Sequence, residues 1–255
     1  MSLSVRDLQP EWLDRDDVPA ADRQAAYDGL DRMQWLSRTG RRLLAAALPL
    51  VASRSQPLRW VDLGCGSGRI LLDVARLAHE RGLTIDPVGV DFSGESLAIA
   101  RQQADREGIA VEWIEADVLA DDFVERAGEA DVVSCSLFLH HFTGEQIVRI
   151  LQQARSLASV LVVDDLRRTR LSYALAWVVG RAMTRSRIVH HDGSLSVRAA
   201  LTTDELGVLA REAGLLHVVL RQQWPQRVLL SSHMPTAAVE HSSSVRQPPV
   251  LRDAS

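Results

Sequence analysis

The stretch that decides the fold runs Val61-Asp62-Leu63-Gly64-Cys65-Gly66-Ser67-Gly68-Arg69. On its N-terminal side, Arg59–Leu63 (RWVDL) is a short apolar run of strand length. On its C-terminal side, Ile70, Leu71, Val74, Leu77 and Ala78 share one helical face, and Gly82 ends that helix. Glycines 64, 66 and 68 therefore sit where a strand turns into a helix. A tight turn and a close approach of backbone to a ligand are both needed there, with N–H groups pointing outward. The spacing is GxGxG, one residue shorter than the GxGxxG of dinucleotide-binding enzymes.

Working outward, the same strand–helix rhythm repeats. Strands are expected at 85–90, 110–114, 130–136 and 159–163, and a helix at 94–107 is stopped by Gly108. Another helix opens with the capping box Thr143-x-x-Gln146, and one further on with Thr202-x-x-Glu205. Segments 216–220 and 227–231, joined through Trp224 and Pro225, read as an antiparallel hairpin. The pattern predicts an α/β fold: a Rossmann-like doubly wound sheet of about seven strands, mostly parallel with an antiparallel last strand, plus a helical cap. The divisions expected are an N-terminal helical lid over 1–57, a core over 58–165, and a helical substrate cap over 166–200. The C-terminal part of the core then covers 201–234, and 235–255 have the composition of a disordered tail.

Composition removes whole classes of function. All 29 basic residues are arginine; the 255-residue chain has neither lysine nor asparagine. Without an ε-amine there is no Schiff-base, pyridoxal-phosphate or P-loop chemistry. Two cysteines, Cys65 and Cys135, form neither a disulfide framework nor a zinc cluster. The net charge of −4 gives no support to general nucleic-acid binding. Residues 1–17 are charged and lack the apolar core of a signal peptide. The longest apolar runs, 43–52 and 171–179, fall short of the roughly 20 residues of a spanning helix. A soluble cytoplasmic protein without stable membrane insertion is expected.

The glycine loop is joined by Asp91 and Phe92 at the end of the second strand and by Asp117 and Val118 after the third. Together these resemble the class I S-adenosylmethionine-dependent methyltransferases, over about residues 58–232. The resemblance implies that Gly64 and Gly66 support the amino-acid part of S-adenosyl-L-methionine and that Asp62 orients its ammonium group. It implies further that Asp91 takes both ribose hydroxyls, that Phe92 lies against the adenine, and that Asp117 with the Val118 backbone binds the adenine amine. Ser134, at the end of the fourth strand, belongs to the same contact set. Read as residues alone, Asp91 and Asp117 are also ordinary turn residues at strand ends.

The methyl acceptor belongs at the ends of the fourth and fifth strands, the carboxyl edge of such sheets. The fourth ends in Ser134-Cys-Ser-Leu-Phe-Leu-His-His-Phe142, without the Asn/Asp-Pro-Pro-aromatic or Pro-Cys motifs of adenine, glutamine or cytosine-C5 methylation. Adjacent His140 and His141 resemble the paired histidines of some small-molecule and quinone-pathway O-methyltransferases. His141 is expected to serve as general base, with Asp165 orienting it. The alternatives are a histidine packed under the next helix and, for Asp165, a helix N-cap.

No metal ligand set is expected; His190-His191-Asp192 is read as loop surface or substrate contact. The cysteines are expected to be inert. Residues 166–191 carry six arginines and no acid around an apolar centre, which reads as a cover for the substrate pocket. The segment Met33–Leu36 either closes over the cofactor or packs in the core. The expected activity is therefore transfer of a methyl group to a small-molecule acceptor, a hydroxyl of an aromatic, polyketide or quinone-like compound, by a monomer or homodimer. The rivals are an anionic or carrier-protein-bound acceptor, a non-catalytic cofactor-binding partner subunit, and a nicotinamide dehydrogenase. The last is disfavoured by the glycine spacing and by the absence of any Tyr-x-x-x-Lys pair.

Overall fold

The computed structural model describes residues 3–13, 15, 17–51 and 56–233. The expected tail at 235–255 and the side chains of residues 34–36 lie outside the described residues. Seven strands form one sheet: β1 (Leu58–Leu63), β2 (Ile85–Asp91), β3 (Glu112–Glu115), β4 (Ala130–Ser136), β5 (Ala158–Leu166), β6 (Val219–Gln223) and β7 (Arg227–His233). Their spatial order is β3-β2-β1-β4-β5-β7-β6. The first five pair in parallel, and β7 runs antiparallel to both β5 and β6. The strand order reverses between β1 and β4, which makes the carboxyl edge there the place for a ligand.

Both sheet faces are covered because the strands alternate apolar residues with period two. Val61, Leu63, Val133, Cys135, Leu161 and Val163 face one core, shared with α5 (Phe123–Ala127), α6 (Gly144–Leu157) and α9 (Thr203–Glu212). Trp60, Val132, Val160 and Val162 face the other, filled by Leu43, Leu44 and Ala47 of α2 (Thr39–Val51) and Ile70, Leu71 and Val74 of α3 (Arg69–His79). On α4 (Gly94–Glu107), Leu97, Ala100 and Ala104 are buried. The predicted capping boxes form at Thr143 and Thr202.

β5 and β7 run on past their expected ends, to Leu166 and His233, and two strands start later than the periodicity predicts. The chain leaving α4 closes its cap with Ile109 N–H donating to Ala104 C=O, so pairing begins only where Glu112 meets Val88. The last hairpin starts later than residue 216 because His217 adopts φ 47°, which breaks the extended run before Val219. The arginine-rich segment forms two helices, α7 (Arg170–Met183) and α8 (Arg187–Ala199). The His190-His191-Asp192 cluster thus lies on a helix and not in a loop.

Before α1 (Ala20–Ser37), an N-terminal strap crosses α8 and the turn after β4. Asp7 N–H donates to Arg198 C=O, and the Arg6 guanidinium donates to the carbonyls of Ala199, His140 and Phe142. Trp12 and Leu13 N–H groups donate to the two carboxylate oxygens of Asp192, and the Trp12 ring stacks on His191 at 3.8 Å.

Asp164 ties three elements together. Its fully buried carboxylate accepts from Nε of Arg42 on α2 and from Nε of Arg227 on β7, each at 2.6 Å. Removing one member of a buried ion cluster leaves the rest uncompensated. Asp164→Ala is therefore expected to cost about 3–5 kcal/mol and to lower Tm by on the order of 10 °C, measured by calorimetry; a change within about 0.5 kcal/mol, the range of an ordinary surface substitution, would show that the cluster bears no load.

Candidate active site

The glycine loop is built by close approach. Gly64, Gly66 and Gly68 all have positive φ (64°, 53° and 75°), the region that L side chains rarely adopt. A Cβ on Gly64 would lie 2.1 Å from the Phe138 ring, and one on Gly68 would lie 2.8 Å from Trp113. The loop is held from β2: one carboxylate oxygen of Asp91 accepts from Gly66 N–H at 2.8 Å, the other from Ser93 N–H at 2.9 Å. These two bonds orient the carboxylate toward the loop. Next to it, Phe92 is 64% exposed. Asp117 is exposed, its Oδ1 accepting from Leu119 N–H in an Asx turn, while Val118 is buried.

Asp62 and Ser134 lie beneath the loop in a buried chain. Trp60 Nε1–H donates to Ser134 Oγ at 2.8 Å, and Ser134 Oγ–H donates to Asp62 Oδ1 at 2.6 Å. Burial raises the Asp62 carboxyl to about 7, and the nearby Asp91 charge adds to this against the Ser134 hydrogen bond. Ser134 thus acts through Asp62.

Helix α1 crosses this loop. Tyr27 OH is 2.6 Å from Ser96 Oγ, Ser67 Oγ–H donates to Asp31 at 2.9 Å, and the Arg23–Glu95 pair joins α1 to α4. A Cβ on Gly66 would touch the Tyr27 ring at 3.6 Å. Among the described residues, the contacts that close over the loop come from Arg23, Tyr27 and Asp31. Nothing in the local sequence of this helix signals them.

At the acceptor end, Asp165 pairs with His140, where His141 was the expected partner. A 3-10 turn, Leu139–His141, carries the two histidines past the end of β4, and it is His140 that turns inward. His140 Nδ1 is 2.7 Å from Asp165 Oδ1, and the His140 backbone N–H donates to Asp165 Oδ2 at 3.3 Å. Burial works against the Asp165 charge, but the His140 ring and Arg227 outweigh it and hold the carboxyl at about 2. An ionised carboxylate can only accept, so His140 donates to it through Nδ1–H. His141 is more exposed, with its ring tilted against that of His140 at 4.3 Å. Phe138, two residues before His140, packs on Gly64, so the histidine turn adjoins the glycine loop.

The helix N-cap alternative for Asp165 also fails, because Thr169 caps α7. His190 Nε2 lies 2.8 Å from Thr184 C=O, and His191 packs between Trp12 and Asp192. That cluster fastens the strap. Burial pushes the thiols of Cys65 and Cys135 well above the ordinary range, which leaves them poor nucleophiles.

The acceptor end also contains Glu11, a residue that sequence reasoning missed. Its Oε1 lies 3.8 Å from Nε2 of His140. Nothing in the local sequence marks it, since the strap brings it in from the far end of the chain. Among the described residues, Glu11, His140 and His141 have potential ligand atoms within 4.8 Å of one another. A tetrahedral ion with bonds near 2.0–2.1 Å would place its ligand atoms about 3.3 Å apart, so it would draw Glu11 and His140 closer than their 3.8 Å.

Comparison with known proteins agrees with this geometry. Residues 61–159 match the family described as a methyltransferase domain. A ubiquinone biosynthesis O-methyltransferase of Xanthomonas axonopodis pv. citri is 27% identical over 194 residues, covering 72% of this chain and 76% of that protein. A demethylmenaquinone methyltransferase of Thermus thermophilus is 37% identical over 84 residues, covering 33% of this chain and only 36% of its own length. The plantazolicin methyltransferase BpumL, solved in complex with a triazolic desmethylPZN analog and SAH, superposes with a TM-score of 0.61 at 17% identity, over 83% of this chain and 90% of that one. With the seven-strand order and the glycine loop, these matches make the chain a class I S-adenosylmethionine-dependent methyltransferase. It is an enzyme, and S-adenosyl-L-methionine is its cofactor.

A buried acid raised to about 7 lowers the stability of the fold that holds it. Its unfolded value is 3.8, so stability is greatest below that pH, declines as pH rises to about 7, and stays low above it. Asp62→Asn is expected to stabilise the cofactor-free protein at pH 8.5 by on the order of 2–4 kcal/mol, a gain that vanishes near pH 4. Equal stability of the two proteins at both pH values, measured by denaturant unfolding, would contradict it.

Proposed function

We propose that the chain methylates a hydroxyl of a small aromatic, polyketide or quinone-like acceptor, with His140 as general base and Asp165 as its anchor. The observation that carries this reading is the 2.7 Å contact between His140 Nδ1 and Asp165, on a turn whose Phe138 packs on Gly64 of the glycine loop. The match to a protein described as a ubiquinone biosynthesis O-methyltransferase supports the choice of oxygen.

The residues present fit the cofactor. Gly64 and Gly66 provide backbone of positive φ, with no room for a Cβ at Gly64, and Asp91 offers oriented carboxylate oxygens to the ribose hydroxyls. Asp62, backed by Ser134, supplies the carboxylate for the ammonium group. Phe92, Asp117 and Val118 form the adenine end. When bound, the cofactor supplies an electrophilic methyl group on a sulfonium. The protein's part is to hold the acceptor in line with it and to take the hydroxyl proton on Nε2. Asp165 stabilises the imidazolium so formed, through the opposite ring nitrogen.

A second reading, an anionic or carrier-bound acceptor, has one observation in its favour. An open groove of about 1050 Å³ between the start of α1 and the α7–α8 junction is lined by Arg15, Arg32, Arg181, Arg185 and Arg187 against Asp17, Asp22 and Asp28. Steep weakening of KM by salt for an anionic acceptor would favour it.

Under the first reading, His140→Ala should lower kcat by about 10²–10⁴-fold, with cofactor affinity unchanged. Asp165→Asn should act in the same direction, and the double variant should be little worse than the worse single. A phenol acidic enough to be pre-ionised should partly rescue His140→Ala; near-normal turnover in both variants would leave positioning alone as the mechanism. Asp91→Ala should weaken binding of S-adenosylmethionine by about 2–3 kcal/mol in calorimetry. Turnover should also survive EDTA, and loss on chelation with recovery on adding a divalent ion would replace the base mechanism by a metal-assisted one.

A further inference from the structure

We propose that Glu11 is a positioning residue of the acceptor site: its carboxylate, delivered by the N-terminal strap, faces Nε2 of His140 and stabilises the imidazolium that forms when the ring takes the acceptor's proton. The inference rests on His140 being the base. Glu11 and His140 are both nearly enclosed, with side chains 12% and 4% exposed, and Oε1 stands 3.8 Å from Nε2. That is too long for a hydrogen bond and short enough for two charges to feel one another strongly in a dry site.

The carboxylate is fixed in place. Ser196 Oγ donates a short hydrogen bond to Glu11 Oε1. The strap on either side of Glu11 is pinned, by Arg6 on the carbonyls of His140 and Phe142 and by the Trp12 and Leu13 N–H groups on Asp192. The Arg6 bonds tie the strap to the backbone of the histidine turn itself, so Glu11 and His140 move as one unit.

The charges that face this pair come from every element around it. Asp165 on β5 holds Nδ1, and His141 lies against the His140 ring from the same turn. Asp192 on α8 lies near Glu11 and raises its carboxyl, while burial raises it more and the two histidines draw it back. Arg6 on the strap and Arg227 on β7 bear on Asp165. Two carboxylates thus flank one imidazole, one at each nitrogen.

In the reaction, the acceptor's O–H proton moves to Nε2, and the freed electron pair on oxygen forms the bond to the methyl carbon. The carbon–sulfur bond breaks with its pair remaining on sulfur, and His140 later returns its proton to solvent. Only the protonated ring interacts favourably with Glu11, so the contact raises the ring's affinity for a proton and strengthens the base.

An opposite charge at such a distance favours the charged form of its neighbour. The rate rises with pH as His140 becomes neutral. Removing the charge should therefore move the acid limb of the kcat/KM profile to lower pH, by about 1 pH unit or more. The experiment compares full pH profiles of the wild type, Glu11→Gln, Glu11→Asp and His140→Ala, with cofactor affinity measured alongside. The expected result is a downward shift in Glu11→Gln, a smaller shift in Glu11→Asp, a lower plateau in both, and unchanged binding of S-adenosylmethionine. Should Glu11→Gln not fold, a shift in Glu11→Asp carries the test alone.

A uniform loss of rate with the limb in place would overturn the proposal, because a strap that only packs predicts that outcome. If His140→Ala removes the limb and neither Glu11 variant moves it, the base stands and the role of Glu11 falls. If His140→Ala keeps the wild-type limb, the base reading fails and the proposal with it. Recovery of EDTA-treated enzyme by zinc or manganese, with that metal lost in Glu11→Gln, would make Glu11 a ligand and overturn the proposal as well.

Discussion

The carboxylate of Asp164, buried between the guanidinium groups of Arg42 and Arg227, determines which way the end of β5 faces. Successive strand residues point to opposite sides, so locking Asp164 toward α2 turns Asp165 toward the histidine turn. A slip of one residue would bring Val163 or Leu166 into one of the two acid positions, leaving either the arginine pair or His140 without its carboxylate. The ladder with β7 pairs Asp164 with Leu229 and Asp165 with Val228 and adds its own weight to the same register. One ion cluster in the second core thus sets the geometry of a proton-transfer pair on the other side of the sheet.

The carboxyl edge of the sheet concentrates negative charge. Asp62, Asp91 and Asp165 are all buried there, on the ends of three different strands. Their environments separate their behaviour: Asp62 has only a hydroxyl partner and is pushed up, while Asp165 has His140 and Arg227 and is held down. The group left poorly compensated is the one beneath the glycine loop, where a cofactor bearing an ammonium and a sulfonium brings positive charge. A fold that retains such an acid sacrifices stability in its empty state for binding in its loaded one.

Much of this was legible in the sequence because it is carried by local pattern. The glycine loop, the period-two strands and the two capping boxes each announce themselves within about a dozen residues. Asp62, Asp91 and Asp117 could be placed because strand ends converge on one edge of a parallel sheet. The partner of Asp165 could not. Whether His140 or His141 turns inward depends on the 3-10 turn at Leu139–His141, whose geometry answers to Phe138 packing on Gly64 and to the Arg6 bonds from the strap. Two adjacent histidines look alike to any periodic argument. Glu11, Tyr27 and Asp31 were invisible for a related reason: they act across the fold on groups far away in the chain.

The N-terminal residues gain coherence from a single side chain. Buried Arg23 on α1 donates to Leu13 C=O at 2.8 Å and to Arg15 C=O at 3.0 Å, and its Nε lies 2.9 Å from Glu95 on α4. It therefore couples the helix that crosses the glycine loop to the strap that brings Glu11 to His140. An open sheet edge leaves a bound cofactor and acceptor exposed to water, which weakens every charge interaction made there. Closing both ends with one continuous segment answers this with few contacts, because ordering α1 against Ser67 and Ser96 also orders the strap beyond it. The same logic places Asp192 where it is: by accepting from Trp12 and Leu13 it fastens the strap to α8, so α8, the strap and the histidine turn become a single wall. His140, enclosed by such a wall, is kept out of bulk water, with Asp165, Glu11 and His141 held close to its ring.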